Sequence, residues 1–278
     1  MKKKKPTIPS IIKWVIALIL VVMQVYPFFY VFTSSFKSLD DFRQLPAYAL
    51  PSKWVLTNFI NVFTKSHMLT YFKNSIILTA ATLFVSAIIG SMASYILAKY
   101  TFKGKSFVYI LFLAGMMIPI QTVIIPLAFT FGKLGIVDNF PVLVLLYSAF
   151  CLSMTVFIVT GYMKGLPDEL EEAAVMDGAG HGIVFFRIIL PLSMPAIASA
   201  SIFNFVSAWN NLLFPLVFIS KDSMKTISIG LLSFFGAYTS DYGAVMAAIG
   251  VSIIPPIIMY ILLQEKMEKG LTAGAVKG

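Results

Sequence analysis

Cysteine occurs once in these 278 residues, histidine twice, and acidic side chains only 12 times. The single Cys151 excludes an internal disulfide and any thiolate metal site built within the chain. His67 and His181 fall in separate polar segments, too far apart to share a metal or a catalytic triad. The longer absences are of charge. Six stretches, 14–36, 74–98, 106–132, 139–163, 188–220 and 242–264, contain no Asp, Glu, Lys or Arg. A carrier coupled to protons or ions keeps an ionisable group inside its spans, and an integral-membrane hydrolase needs paired acids or clustered histidines near one membrane face. Neither pattern is present, so no catalytic residue and no metal ligand is assigned. A nucleotide site is missing too. Gly104, Lys105 and Ser106 imitate the end of a phosphate-binding loop, but the glycine required five residues earlier is Lys99.

What the chain does have is apolar bulk: 59% hydrophobic residues, 12% charged, and a mean hydropathy of +0.89. One water-soluble core cannot absorb that composition. Each uncharged stretch exceeds the roughly 20 residues that cross about 30 Å of hydrocarbon, which predicts an all-α integral membrane protein of six transmembrane helices. The stretch after the basic N-terminus is too long for a signal-peptide core and lacks a small-residue cleavage site, so it is expected to remain as the first span.

Lys2, Lys3, Lys4, Lys5 and Lys13 precede that span, which predicts a cytoplasmic N-terminus and, after six crossings, a cytoplasmic C-terminus. Lys99, Lys103, Lys105, Lys164, Arg187, Lys266, Lys269 and Lys277 then share the inner side. The net charge of +9 reflects this topology and contact with the lipid bilayer, and no nucleic-acid partner is expected. The organisation reads as a basic N-terminus with the first helix (1–36), an extracytoplasmic loop (37–70), a five-helix core (71–264) and a C-terminal tail (265–278). In the first loop Thr57 can open a short helix, placing Phe59, Ile60 and Phe63 on the membrane interface. The third outer loop, 221–241, is long enough to reach an external partner.

Prolines 119, 126, 195, 215, 255 and 256 fall within predicted spans, where each removes a backbone donor and can bend a helix. Gly90, Ser91, Ala93 and Ser94 suit close helix packing. In the fifth span Asn204, Ser207 and Asn211 share a helical face, with Trp209 and Asn210 adjacent. Amides, hydroxyls and an aromatic ring without charge suit the pathway of a neutral polyhydroxylated solute, and equally suit hydrogen bonds between helices.

The most acidic segment between spans is 164–191. Pro167, Asp168 and Glu169 suit a helix start, and Leu166, Leu170, Ala173 and Ala174 recur on one side while Glu172 points away. Gly178 and Gly180 end that helix, and a second short helix is expected from about Gly182 to Ile189, closed by Pro191. Two short helices, too apolar on one face for water and too charged for lipid, predict docking on a protein.

Glu172, Ala173 and Ala174, then Gly178 after three residues, then Ile188, Leu190 and Pro191 after nine more, reproduce a family signature. On these residues the chain resembles the permease subunits of binding-protein-dependent ABC importers, whose mark is this EAA motif. Residues 94–105, 209–218 and 270–278 narrow the resemblance to the carbohydrate branch and its MalG-like subunit, with Asn211 standing where glutamate is more usual. The resemblance implies a type I ABC importer permease fold in the cell membrane. Its implied partners are a second, MalF-like permease subunit, a cytoplasmic ATPase dimer, an extracellular or periplasmic sugar-binding protein and an oligosaccharide substrate. ATP would be bound by the ATPase subunits, and this chain would bind no cofactor. Glu172, Ala173, Ala174, Asp177, Gly178, Ile188, Leu190 and Pro191 would couple to the ATPase, and Lys269, Gly274 and Lys277 of the tail would add a second contact. Import of a non-sugar solute such as a polyamine or phosphonate by the same machinery is the alternative.

Overall fold

The computed structural model describes residues 8–64, 66–237 and 241–275, and among these every regular element is helical. They are α1 (Ile8–Ser34), α2 (Leu39–Gln44), α3 (Thr57–Thr64), α4 (Met68–Lys99), α5 (Lys105–Met117), α6 (Ile120–Leu134), α7 (Phe140–Met163), α8 (Glu169–Met176), α9 (His181–Leu192), α10 (Met194–Trp209), α11 (Leu213–Phe218), α12 (Ile227–Ala237) and α13 (Tyr242–Ala275). The chain forms two compact units, one of residues 1–68 and 231–253, the other of residues 69–230 and 254–278.

In the first unit, α1 turns apolar side chains outward on all sides, among them Trp14, Leu18 and Met23. A helix of this length and composition with no covered face belongs in hydrocarbon. The loop that follows is folded. Ser38 and Asp41 form a reciprocal capping box that starts α2. Asn58 on α3 donates to the carbonyls of Ser35 and Lys37, both at 2.8 Å, and buried Lys37 donates to the Ala47 carbonyl at 3.0 Å. Phe59 differs from its predicted interfacial place: its ring packs 5.1 Å from that of Phe36, while Ile60 and Phe63 are exposed. Asn58 and Val62 face inward on α3 and Phe59 lies beside them, so only part of the predicted apolar face is free.

In the second unit two of the predicted spans are broken. The run 106–132 becomes α5 and α6, bent by 96° where Pro119 caps α6 without an N–H of its own. The run 188–220 is bent by 71° at Ser193, between α9 and α10, and interrupted again before α11. Pro195 and Pro215 sit in the first turns that follow these two breaks, the positions where a missing donor costs least. Pro126, Pro255 and Pro256 instead lie inside helices.

Both bent segments cross from one end of the unit to the other. At one end Lys99, closing α4, meets Leu166 and Asp168 after α7, and Lys105, opening α5, donates to the Tyr100 carbonyl. At the opposite end Asp138, after α6, binds Ser220 and Lys221 after α11, and Tyr71, opening α4, binds Asp222. Since α4 and α7 have 32 and 24 residues, about 1.5 Å each, these clusters are separated by more than a bilayer core. The segments 105–134 and 181–218 each start at the first end and finish at the second, which a re-entrant loop would not do. With each bent segment counted as one span, the described residues hold six candidate spans, the number predicted.

Gly90 brings α4 against α7 so closely that an added Cβ would lie 2.5 Å from the Thr155 methyl carbon, and Ser91 and Ser94 beside it are fully buried. The third outer loop is less free than its sequence suggested, because residues 227–237 form α12 with Ile227 and Ile229 buried. Residues 265–275 of the predicted tail continue α13, which runs unbroken to Ala275.

Candidate functional site: a docking segment and a polar cavity

The segment between α7 and α10 folds as helix, glycine turn, helix. Three acidic residues, Glu169, Glu171 and Glu172, lie in the first turn of α8 and complement its dipole. Gly178 ends it with φ +83°, a left-handed value that costs other L-residues roughly 1–2 kcal/mol. The Ala179 N–H then closes on the Ala174 carbonyl at 2.9 Å, and the Gly178 N–H on that of Val175 at 2.9 Å. The second helix runs past its predicted end. Pro191 lies within the last turn of α9 rather than closing it, and one π-helical turn, Phe185–Ile189, precedes that proline. The break falls at Ser193.

The segment has an inner and an outer face. Ala174, Val184, Phe185 and Ile189 are buried in one cluster with Tyr95 of α4, Val159 and Met163 of α7, and Ala196 and Ile197 of α10. Leu190 and Ile188 pack at its edge. Outward lie Glu172, Ala173, Asp177 and Pro191, together with uncovered Val175, Met176, Ile183 and Phe186; Met176 is 87% exposed. Met, Ile and Phe beside acidic groups thus form an uncovered patch on this chain, neither wholly apolar nor wholly polar.

Side chains from α4 and the residue after it hold this segment in place. Tyr95 donates to Glu171 Oε1 at 2.5 Å, Tyr100 reaches the same oxygen at 3.2 Å, and the two hydroxyls lie 3.1 Å apart. His181 Nδ1, opening α9, lies 2.8 Å from the Tyr100 hydroxyl. Burial, with Glu171's charge adding, raises the Tyr100 pKa and keeps its hydroxyl protonated. Lys99 bridges Asp168 at 2.5 Å, and its hydrogen bond and charge hold that exposed carboxylate below its ordinary pKa. Sequence reasoning missed Tyr95, Tyr100 and Glu171. Glu171 stands beside the motif's own glutamate, and only the alternation of exposed and inward positions on α8 could have separated the two.

The predicted pathway residues divide. Asn204, Ser207 and Asn211 line a cavity of about 220 Å³, with Met116 and Ile120 from the α5–α6 break and Tyr147, Phe150, Phe203 and Phe214 around them. Asn204 is also a tie between helices: its amide donates to Thr155 Oγ1 at 2.8 Å and to the Cys151 carbonyl at 3.3 Å. Asn211 Oδ1 accepts the Phe214 N–H at 3.0 Å and so opens α11. Trp209 does not join them. It is buried against Phe205 and Phe72 and lines a separate apolar cavity of about 420 Å³ bounded by α4, α10 and α13. Asn210 is exposed at the end of α10. The sequence placed all five in one span, but α10 ends at Trp209, and the tryptophan, two residues after Ser207 and so roughly half a turn round the helix, faces away from the cavity that Asn204 and Ser207 line. Of the tail residues, Lys269 and Gly274 lie on α13, while Lys277 is outside the described residues.

Up to six candidate spans, an uncovered two-helix segment at one end of the larger unit and an uncharged cavity within it fit a multi-pass membrane protein. Residues 88–273 match the family model described as binding-protein-dependent transport system inner membrane component. The chain is 33% identical to the diacetylchitobiose uptake system permease protein NgcG of Streptomyces coelicolor, covering 92% of this chain and 85% of that one. It is 34% identical to the trehalose/maltose transport system permease protein MalG of Thermococcus litoralis, covering 94% and 95%. A solved bacterial ABC transporter involved in the import of the acidic polysaccharide alginate has the same fold, with a TM-score of 0.81 at 23% identity over 95% of this chain and 98% of that one. The protein therefore belongs to the binding-protein-dependent inner-membrane transport family: it is an ABC transporter permease subunit of the plasma membrane, without an enzymatic activity of its own.

Proposed function

We propose that the chain forms half of the translocation pathway of an ATP-driven oligosaccharide importer and is moved by an ATPase seated on 172–191. The observation that carries the reading is the two-faced docking segment. Its inner side is fused to the ends of α4, α7 and α10, and its outer side offers Glu172, Ala173, Val175 and Met176 to a partner. Closure of an ATPase dimer around bound ATP would push on that outer face and swing the helices attached beneath it. The docking end is then cytoplasmic, as are both termini, and the Asp138 end faces the binding protein. A second permease of MalF-like type would complete the pathway, and Lys269, Gly274 and Lys277 would lie on the ATPase side.

The solute class follows from the named transport systems of the relatives and from the cavity. No Asp, Glu, Lys or Arg lines it, which disfavours a polyamine or phosphonate. Its aromatic and amide groups suit sugar rings and hydroxyls. Ser207 and Asn211 are the pathway groups, Asn204 contributes from the wall, and Trp209 and Asn210 lie apart from them.

The test is reconstitution of the whole importer in proteoliposomes with Glu172→Lys. Binding-protein-dependent sugar uptake should fall at least tenfold and the ATPase should release from the membrane, while the chain still inserts. Unchanged uptake would exclude the docking model. Uptake of a cationic or phosphonate solute in place of sugar would exclude the solute class.

A further inference from the structure

Two adjacent glutamates on α8 have opposite surroundings. Glu172 is exposed, whereas Glu171 turns inward and accepts from the hydroxyls of Tyr95 and Tyr100. Tyr95 is itself only 4% exposed, lies in the last turn but one of α4, and stacks its ring near Tyr100 and Phe185. Lys99 ties the residues before α8, and His181 at the start of α9 reaches Tyr100, while the buried contacts that α8 and α9 make with the bundle are apolar and non-directional. Dispersion and burial fix how far apart such surfaces sit, but they tolerate sliding and rotation. A carboxylate held by two phenol donors from a neighbouring helix fixes direction as well.

We propose that Glu171 is a positioning residue: through Tyr95 and Tyr100 it locks the docking segment to the end of α4, so that force applied at Glu172 moves the spans instead of rolling α8. The strut stays closed throughout the transport cycle. Tyr95 is packed in the same cluster as Ala174, Val184 and Phe185, so opening it would unpack the segment. The direct function of Glu171 is mechanical, and it makes no contact with ATPase or solute. Substitution by glutamine keeps an oxygen that accepts from both tyrosines, whereas alanine removes it.

The strut itself is tested on the full chain in lipid nanodiscs, without any partner, by amide hydrogen exchange over 172–178. Glu171→Ala should raise exchange there at least tenfold, Tyr95→Phe combined with Tyr100→Phe should do the same, and Glu171→Gln should stay within about twofold of the parent. Unchanged exchange in Glu171→Ala, or equal effects of Gln and Ala, would overturn the strut. Its role in coupling rests on the docking reading and is tested in the reconstituted importer carrying Ala173→Cys for crosslinking to the ATPase. Glu171→Ala should keep the crosslink and the ATP turnover but move at least tenfold less solute per ATP, with Glu171→Gln restoring the ratio. Loss of the crosslink in Glu171→Ala would mean that Glu171 is a docking contact and would overturn the role proposed here. Failure of the parent to crosslink would instead remove the docking reading, and the exchange result would still decide the strut.

Discussion

The two ends of the larger unit are fastened by different means. At the Lys99 end the ties run mostly between side chains, with Glu171, Tyr95, Tyr100 and His181 in one network and Lys99 paired with Asp168, while Lys99 and Lys105 also donate to the Leu166 and Tyr100 carbonyls. At the Asp138 end they run mostly to backbone. Asp138 accepts from the Ser220 and Lys221 N–H groups at 2.6 and 3.0 Å, Asn74 donates to the Ser223 and Lys225 carbonyls, both at 2.9 Å, and Ser75 accepts from the Ile227 N–H at 2.8 Å. Backbone ties fix the shape of a loop, and they hold each connection in one form whatever lies beyond it. Side-chain networks between elements fix the attitude of one helix to another. On the proposed reading the first end transmits motion and the second keeps its loops closed.

Two glycines sharpen that contrast and carry the larger effects. Gly178 has open space around its missing Cβ, and its requirement is the φ of +83°. Gly178→Pro cannot adopt that angle, so the turn between α8 and α9 is lost. Solute uptake should fall at least tenfold in proteoliposomes while membrane insertion, followed by fractionation, is unchanged. Gly230 has the opposite need. A Cβ there would lie 2.4 Å from Cδ2 of Tyr71, beside the Tyr71–Asp222 bond. Gly230→Ala should cost about 1–3 kcal/mol by overpacking, read as a lowered melting temperature in detergent. Solute moved per ATP should remain at the parental value in the protein that survives. A coupling defect in Gly230→Ala would erase the distinction between the ends.

A milder break tests the middle of the bundle. Asn204 joins α10 to α7 through Thr155 and the Cys151 carbonyl, and such ties within membranes contribute roughly 0.6 to 2 kcal/mol each. Asn204→Ala should therefore lower the melting temperature by a few degrees. Asn211→Ala removes a cavity group and the acceptor that opens α11, so it should change uptake more than stability. Equal thermal losses in the two, with uptake untouched, would reduce the cavity face to helix packing.

The spans and the docking motif were legible because both are local. Absence of charge over some 20 residues is a sufficient signal for a membrane helix, and the Glu172 to Pro191 spacing lies within one segment. Direction was not legible. A count of apolar residues registers 106–132 as one span and cannot see the 96° bend at Pro119, since a proline in an apolar run can equally sit inside a helix, as Pro126 does. Nor could the apolar pattern show that the helix carrying Asn204 and Ser207 ends at Trp209, so that Asn211 reaches the same cavity from beyond a break. The strut was hidden by distance, because Tyr95 is 76 residues from Glu171 and reads, from its own neighbours, as one more aromatic in an apolar helix.

The smallest expected effect concerns acid. The backbone N–H groups of Lys221 and Ser220, helped by the Lys221 charge, hold the Asp138 carboxyl below its ordinary pKa, as Lys99 does for Asp168. A carboxyl depressed in the folded state contributes stability that is present above its unfolded pKa, about 3.9, and is lost as pH falls through the lower folded value. Asp168 is exposed and Asp138 half-buried at the surface, so each contribution is small. Between pH 7 and about 5 the Asp138 end should not loosen, and exchange at the Ser220 and Lys221 amides, corrected for intrinsic rates, should stay flat. Below about pH 4 protection of these two amides should fall, because a protonated carboxyl accepts more weakly. Asp138→Asn keeps an acceptor oxygen but cannot titrate, so its protection should be lower than the parent's at pH 7 and unchanged on acidification. Loss of protection already at pH 6 in both proteins would show that something other than Asp138 closes the outer loops, and the backbone-tied end would need a different explanation.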